Sequence, residues 1–203
     1  MTTMNQNKNM ISPTSHIAEF VLCALFAALT SVCSWISIPL PFTPVPVNLA
    51  TLAVMLSGLI LGVKFGTLSQ ILYLLLGAVG VPVFSGGTSG LGVMAGPTGG
   101  YLVGYILCAA VCGFLFRARR RVNNTAVKEN PRFMPLLVRA FLAMAAGIAA
   151  CYFAGTIWFM YLTGNGLISS LFLCVIPFIP GDILKMTASF LLIKRLPQNS
   201  LRH

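Results

Sequence analysis

Acidic residues are nearly absent from this chain, since only three aspartates and glutamates occur among 203 residues. Charged residues of both signs make up 8% of the sequence, whereas soluble domains carry about 25%. Hydrophobic residues make up 57%, and the mean hydropathy is +0.90. This shortage of charge excludes an ordinary soluble domain and predicts an all-α integral membrane protein.

Groups that perform catalysis or hold metals are also scarce. The only histidines, His16 and His203, are near the two ends of the chain. All six cysteines fall in apolar segments, so we interpret them as small buried side chains rather than disulfides or metal ligands. The sequence contains no Walker A motif, which excludes an ATPase. We therefore expect no catalytic residue, no cofactor, no metal and no enzymatic activity.

Hydrophobic runs, at about 20 residues per span, predict one membrane domain that is a six-transmembrane-helix bundle over residues 16–203. Residues 1–15 are polar and are predicted to form a disordered cytoplasmic tail. The predicted helices cover 16–38, 48–61, 66–79, 101–116, 136–162 and 180–196.

Two segments between these helices have unusual compositions. Four prolines in residues 39–47 exclude a regular helix and predict a stiff connector that carries Phe42 and Thr43. This connector is either a plain loop or a cover over a pocket. Residues 80–100 are rich in glycine and apolar, which favours backbone that lines a cavity over a surface loop. The residues of this second segment that we predict to contact a ligand are Ser85, Gly86, Gly87, Thr88 and Ser89.

Lysines and arginines are distributed asymmetrically between the two ends of the predicted bundle. Segments 39–47, 80–100 and 163–179 have none. The opposite segments carry Lys8, Lys64, the basic cluster from Arg117 to Arg139, Lys194, Arg195 and Arg202. The positive-inside rule then predicts that both termini are cytoplasmic. The basic cluster lacks a series of interleaved aromatic residues on which bases could stack, so nucleic-acid binding is not predicted.

The stretch 177–185, PFIPGDILK, contains an aspartate and a lysine inside an apolar helix. Ionisable residues in such an interior are costly and by default indicate a functional site. Pro180 suits the first turn of a helix, and Asp182 then lies where the helix dipole favours an anion. Lys185 follows at i+3 and projects from the same face. This pair alone would suit many small polar ligands.

Other function classes have less support from the sequence. A channel or ion-coupled carrier would normally show more intramembrane ionisable residues and an internal repeat. A membrane enzyme would need a catalytic histidine, cysteine–base pair or carboxylate pair. An uptake subunit for a different small, vitamin-like solute remains an alternative.

Four runs of sequence resemble a known family in the expected order. They are PVPVNLATLAVMLSGLILG (44–62), YLLLGAVGVPVFSGG (73–87), GLGVMAGPTGGYLVGY (90–105) and PFIPGDILKMTASFLL (177–192). They resemble BioY, the biotin-specific substrate-binding subunits of energy-coupling factor vitamin transporters. The resemblance implies a multi-pass protein of the bacterial plasma membrane that binds biotin. It also implies a complex with a transmembrane coupling protein and cytoplasmic ATP-binding subunits.

The resemblance also implies roles for particular residues. Asp182 and Lys185 match the family's G-D-x-x-K motif and would contact biotin. Ala24 and Ala28 match an Ala-xxx-Ala face that docks the coupling protein. Asn48 and Ala50 stand where the family often has threonine and glutamine, which alters the polar contacts near the second helix. Candidate walls of the pocket are Phe42, Tyr101, Tyr152 and Trp158.

Overall fold

The computed structural model describes residues 13–126 and 136–195. Predictions about Lys8, Lys128, Arg132, Arg202 and most of the amino-terminal tail lie outside these ranges. The helices are α1 (Pro13–Trp35), α2 (Ala50–Val79), α3 (Leu91–Ala95), α4 (Gly99–Ala126), α5 (Leu136–Thr163), α6 (Leu167–Cys174) and α7 (Ile179–Arg195). Two short strands, β1 (Ser37–Ile38) and β2 (Val47–Asn48), join α1 to α2.

Five helical segments within the described ranges are long and apolar enough to cross a membrane. We expected six, and the difference arises in α2. The predicted helices 48–61 and 66–79 form one helical element that is broken at Gly62, where φ is 78° and ψ is −169°. This backbone conformation is essentially restricted to glycine. Residues 62–65, which separate the two predicted helices, therefore do not form a loop, and the helical backbone is interrupted at Gly62 alone.

The break at Gly62 folds α2 back on itself. In a straight helix, Ser57 and Gln70 would lie about 20 Å apart along the axis. Instead, the Gln70 Nε2 atom donates to Ser57 Oγ at 3.1 Å, and it is also within reach of Thr30 Oγ1 on α1. The backbone of Gly66 lies against Ser57, because a Cβ added there would be 2.9 Å from the Ser57 carbonyl oxygen. The two halves of α2 thus pack against each other and against α1.

The proline-rich connector forms a small hairpin. α1 ends at Trp35 and not at Ile38 as expected, because residues 37–38 pair as an antiparallel strand with residues 47–48. Asn48 belongs to the second strand, and α2 begins at Ala50. The Asn48 Oδ1 atom accepts a hydrogen bond from the Ala50 backbone N–H at 3.1 Å, which satisfies one of the free donors at the helix start.

The glycine-rich segment is partly helical. It contains a 3-10 turn at Ser85–Gly87 and the short helix α3, and α4 begins at Gly99, two residues earlier than expected. Both tryptophans of the chain hold this segment from neighbouring helices. Trp35 Nε1 donates to the Pro82 carbonyl at 2.7 Å, and Trp158 Nε1 donates to the Gly96 carbonyl at 2.9 Å.

Apolar side chains cover both the inside and the outside of the bundle. α2 packs between α1 and α4, and α4 packs against α5. Tyr73, Met144 and Phe159 are fully buried, whereas Phe153 and Leu184 are among many large apolar side chains that face outward. Helices that are apolar all round are typical of membrane spans. The chain is therefore a membrane protein.

We predict that Gly62→Ala destabilises the protein, because a Cβ atom is disfavoured in the backbone conformation that breaks α2. The expected loss is about 1–3 kcal/mol in the free energy of unfolding. Thermal unfolding of detergent-purified protein would measure it. Gly166→Ala is the matched control, since Gly166 has an ordinary φ of −66° and open space around it. Equal stability of the two variants would contradict the role assigned to Gly62.

Candidate ligand-binding site

A cavity of about 460 Å³ lies at one end of the bundle. The proline-rich hairpin, the glycine-rich segment and the first turns of α2, α4 and α7 surround it, and α5 closes the remaining side. Its volume lies within the range of roughly 300–1,000 Å³ that is typical of small-molecule sites. The two segments of unusual composition and the charged stretch 177–185 thus all meet at this cavity.

Asp182 and Lys185 form an ion pair in the wall of this cavity. They lie one turn apart on α7, and Lys185 Nζ is 2.9 Å from Asp182 Oδ1. Asp182 is 4% exposed and Lys185 is 5% exposed. Burial of either charge alone would be very unfavourable, so each residue compensates the other. The break before α7, with Pro180 in its first turn, positions both side chains at the cavity.

Two further hydroxyl groups complete the surroundings of the ion pair. Lys185 Nζ donates to Thr51 Oγ1 at 3.0 Å, and Thr51 Oγ1 donates to Asp182 Oδ1 at 3.3 Å. The Tyr152 hydroxyl donates to Asp182 Oδ2. Sequence reasoning named Tyr152 but missed Thr51, which is 131 residues from its partner. The only sequence signal for Thr51 was its place at the end of PVNLAT, residues 46–51, which leads into α2.

The hydrogen-bonding capacity that remains on the pair is limited. A carboxylate has about four acceptor positions, and Lys185, Thr51 and Tyr152 occupy three of those on Asp182. An ammonium group has three donors, of which Lys185 uses two, on Asp182 and Thr51. The pair therefore offers a ligand about one acceptor position and one donor, side by side. An N–H next to a carbonyl group complements this arrangement.

A second polar group lies where the hairpin meets the glycine-rich segment. Asn48 Nδ2 donates to Ser85 Oγ at 2.6 Å, and the Tyr105 hydroxyl donates to Asn48 Oδ1 at 3.4 Å. All three residues line the cavity. The sequence pointed to Asn48 and Ser85 but not to Tyr105, a buried residue that nothing in α4 distinguished from ordinary core.

Aromatic and aliphatic side chains form the rest of the wall. Tyr101 stacks on Phe178, with ring centroids 6.5 Å apart, and its hydroxyl donates to the Cys174 carbonyl at 2.9 Å. Phe84, Leu102 and Ile148 contribute further apolar surface. Such a cavity can enclose a flat apolar molecule that carries a few polar atoms.

The sequence-predicted site residues divide into two groups. Asp182, Lys185, Ser85, Thr88, Asn48 and Tyr152 line the cavity, whereas Phe42, Thr43, Gly86, Gly87 and Ser89 do not. Phe42 is 56% exposed on the hairpin. Thr43 is buried, and its Oγ1 accepts from the Val45 N–H within the hairpin. Trp158 bonds to Gly96 instead of lining the cavity, and Ala24 and Ala28 lie exposed on the outer face of α1.

Metal-ligating side chains do not converge in the structure. Within residues 13–126 and 136–195, no group of three or more histidine, cysteine, aspartate or glutamate side chains could hold a metal ion.

The fold and the cavity together define a polytopic membrane protein with a charge-bearing site for a small ligand. The chain belongs to the BioY family, whose model matches residues 4–201. It is similar to a biotin transporter BioY of Rhizobium etli, with 38% identity over 176 residues that cover 86% of this chain and 90% of that protein. It is also similar to a probable biotin transporter BioY of Pyrococcus horikoshii, with 35% identity over 182 residues, 90% of this chain and 98% of the relative.

A solved structure shares the fold. It is the S-component for biotin from an ECF-type ABC transporter, which matches with a TM-score of 0.77 and 26% identity. The match covers 91% of this chain and 93% of that one.

We predict that the ion pair behaves as a unit in the unliganded protein. Lys185→Met alone should destabilise the fold by about 3 kcal/mol or more, because Asp182 would remain buried without its cation. The double variant Asp182→Asn with Lys185→Met should lose less than Lys185→Met alone. Unfolding measurements in one detergent would give both values.

Thr187→Ala is a suitable control for these variants. Thr187 is an exposed α7 residue that bonds only to its own helix, through the Ile183 carbonyl. A double variant that loses as much stability as Lys185→Met alone, or more, would contradict the coupling.

Proposed function

We propose that this protein is the biotin-binding subunit of a vitamin uptake system. Membership of the BioY family over almost the whole chain supports this, as do relatives named as biotin transporters. The observation that carries the proposal is the buried pair of Asp182 and Lys185 in a cavity of about 460 Å³. The chemistry of that pair matches the polar head of biotin.

Biotin has a flat bicyclic head with a ureido group, a thioether and a valerate tail. An N–H and the carbonyl oxygen of the ureido group are adjacent, like the remaining acceptor of Asp182 and the remaining donor of Lys185. In this arrangement Asp182 accepts from the ureido N–H and Lys185 donates to the ureido oxygen. The rings of Tyr101 and Phe178 provide an apolar surface for the bicyclic head. Tyr152 and Thr51 hold Asp182 in place.

The proposed assembly follows from the family and from the distribution of charge. The chain crosses a bacterial plasma membrane six times, with the halves of α2 counted separately and both termini in the cytoplasm. The cavity then opens to the outside, because residues 39–47 and 80–100 lack basic residues.

A maleimide that cannot cross membranes should label an Asn165→Cys variant on intact cells. Failure to label this exposed position without permeabilisation would contradict the orientation.

Energy for uptake comes from other subunits in this proposal, because the chain has no Walker A motif. A transmembrane coupling protein and cytoplasmic ATP-binding subunits would form the complete transporter. Ala24 and Ala28 are exposed on adjacent turns of α1, where small side chains allow another helix to approach closely.

We predict that detergent-purified protein binds biotin at a one-to-one ratio with no ATPase partner present. Calorimetric titration with biotin tests this, with riboflavin and thiamine as the controls. Asp182→Asn should weaken biotin binding about 100-fold, since the charged acceptor for the ureido N–H would be replaced by a neutral amide. Tight binding by Asp182→Asn would contradict the assigned site, and no binding of any vitamin by folded parent protein would contradict the function.

We predict that the double variant Ala24→Leu with Ala28→Leu keeps biotin affinity but loses biotin uptake in cells. The larger side chains would hold the coupling protein away from α1. Ala145 and Ala149 are an exposed pair with the same spacing on α5, so the corresponding double leucine variant is the matched control. If both double variants take up biotin equally well, α1 does not dock the coupling protein through these alanines.

A further inference from the structure

We infer that Gly155 of α5 is a positioning residue, which sets the width of the cavity and thereby selects ligands by the size of their ring system. Gly155 does not line the cavity, and it acts through the ring of Tyr101, which does. This inference rests on the proposed function, in which the ligand is biotin. The fit of the bicyclic head then depends on a residue in the layer behind the cavity wall.

The ring of Tyr101 lies directly against the backbone of α5. A Cβ atom added at Gly155 would be 2.5 Å from both Cε1 and Cζ of that ring, and 2.6 Å from its Cδ1 atom. Carbon atoms in contact are normally about 3.5–4.0 Å apart. Any side chain at position 155 would therefore occupy space that one edge of the ring now fills, and glycine alone permits this close approach.

Two further contacts hold the Tyr101 ring on other sides. Its hydroxyl donates to the Cys174 carbonyl at 2.9 Å, and its face stacks on Phe178 with an interplanar angle of 29°. Tyr101 is 8% exposed, and it lines the cavity. Because Phe178 and the Cys174 carbonyl occupy the other directions, a ring that is pushed away from α5 moves into the cavity.

The displacement that an alanine would force is large on the scale of a fitted site. The ring must retreat by about 1 Å to restore ordinary carbon–carbon contact with a new Cβ atom. Packed interiors respond to a change of even one methylene group, so narrowing on this scale alters which ligands fit. A fused bicyclic head is then opposed more strongly than a single ring.

The test compares biotin with desthiobiotin, which has the same ureido ring and carboxylate tail but lacks the sulfur atom that closes the second ring. Gly155→Ala should weaken binding of biotin at least about tenfold, because the displaced Tyr101 ring overlaps with the bicyclic head. Binding of desthiobiotin should fall less than about threefold. Calorimetric titration of the detergent-purified parent and variant with both ligands gives the ratio of the two affinities.

Gly147→Ala is the matched control on the same helix. Its Cβ atom would be 2.4 Å from Cys112 Sγ and 3.0 Å from the Cys108 carbonyl oxygen, and neither cysteine lines the cavity. This variant should show similar strain in thermal unfolding but keep the parent's ratio of the two affinities. Alanine is a better helix former than glycine, which offsets part of the strain in both variants.

A double variant separates displacement of the ring from general damage to the fold. Tyr101→Leu removes the ring edge that Gly155 accommodates. In this background, Gly155→Ala should change the affinity for biotin less than about threefold, since no ring is left to be displaced. The same comparison decides the question if Gly155→Ala alone does not fold, because the ring that causes the clash is absent from the double variant.

The outcomes distinguish the role of Gly155 from the proposed function. If Gly155→Ala weakens biotin and desthiobiotin by the same factor, binds biotin as the parent does, or weakens the Tyr101→Leu variant by about a further tenfold, Gly155 does not set the width of the cavity, while biotin binding stands. If the folded parent binds neither ligand, the proposed function fails and this inference fails with it. A loss specific to the bicyclic ligand that disappears in the Tyr101→Leu background supports the inference.

Discussion

The need to balance charge in an apolar interior determines how this protein is built. Asp182 and Lys185 neutralise each other at 2.9 Å, and burial of either charge without the other would be strongly destabilising. Thr51 from α2 accepts a further hydrogen bond from Lys185, and Tyr152 from α5 donates one to Asp182. Three helices that are distant in sequence are thus held together at one point, and the cavity forms around it.

The irregular segments of the chain are concentrated at the end of the bundle that contains this point. Backbone without regular hydrogen bonds is tolerated at membrane depth only where it is buried or lines a cavity. The proline-rich hairpin satisfies its own backbone through the pairing of Ser37 with Asn48. The glycine-rich segment satisfies part of its backbone through a 3-10 turn and a short helix. The hairpin and the glycine-rich segment, which pair their own backbone groups in this way, also form part of the cavity wall.

The sequence indicated residues that line the cavity where a residue was unusual for its surroundings. Asp182 and Lys185 were identifiable because charges are rare in apolar helices, and residues 80–100 because such a high density of glycine disfavours a regular helix. Sequence reasoning failed where the decisive information lay in distant contacts. A threonine such as Thr51 is common in membrane helices, so only its contact with α7 distinguishes it. Phe42 was assigned to the wall because it is aromatic, but the hairpin turns it outward.

Helix boundaries show the same limit of prediction. Local composition predicted two separate helices, 48–61 and 66–79. In the structure, Gly62 alone reverses the chain direction, and the residues directly before and after it are helical. α1 ends three residues earlier than predicted, because residues 37–38 pair as a strand with residues 47–48. The sequence of α1 does not indicate this partner, which lies beyond the prolines.

The positions of the two tryptophans give the protein an intrinsic optical property. Trp35 and Trp158 are the only tryptophans in the chain, and each donates its indole N–H to a carbonyl of the glycine-rich segment. Indole emission depends strongly on that hydrogen bond and on nearby water. The ultraviolet fluorescence of the whole protein therefore reports on one segment, at the two points where neighbouring helices hold it beside the cavity.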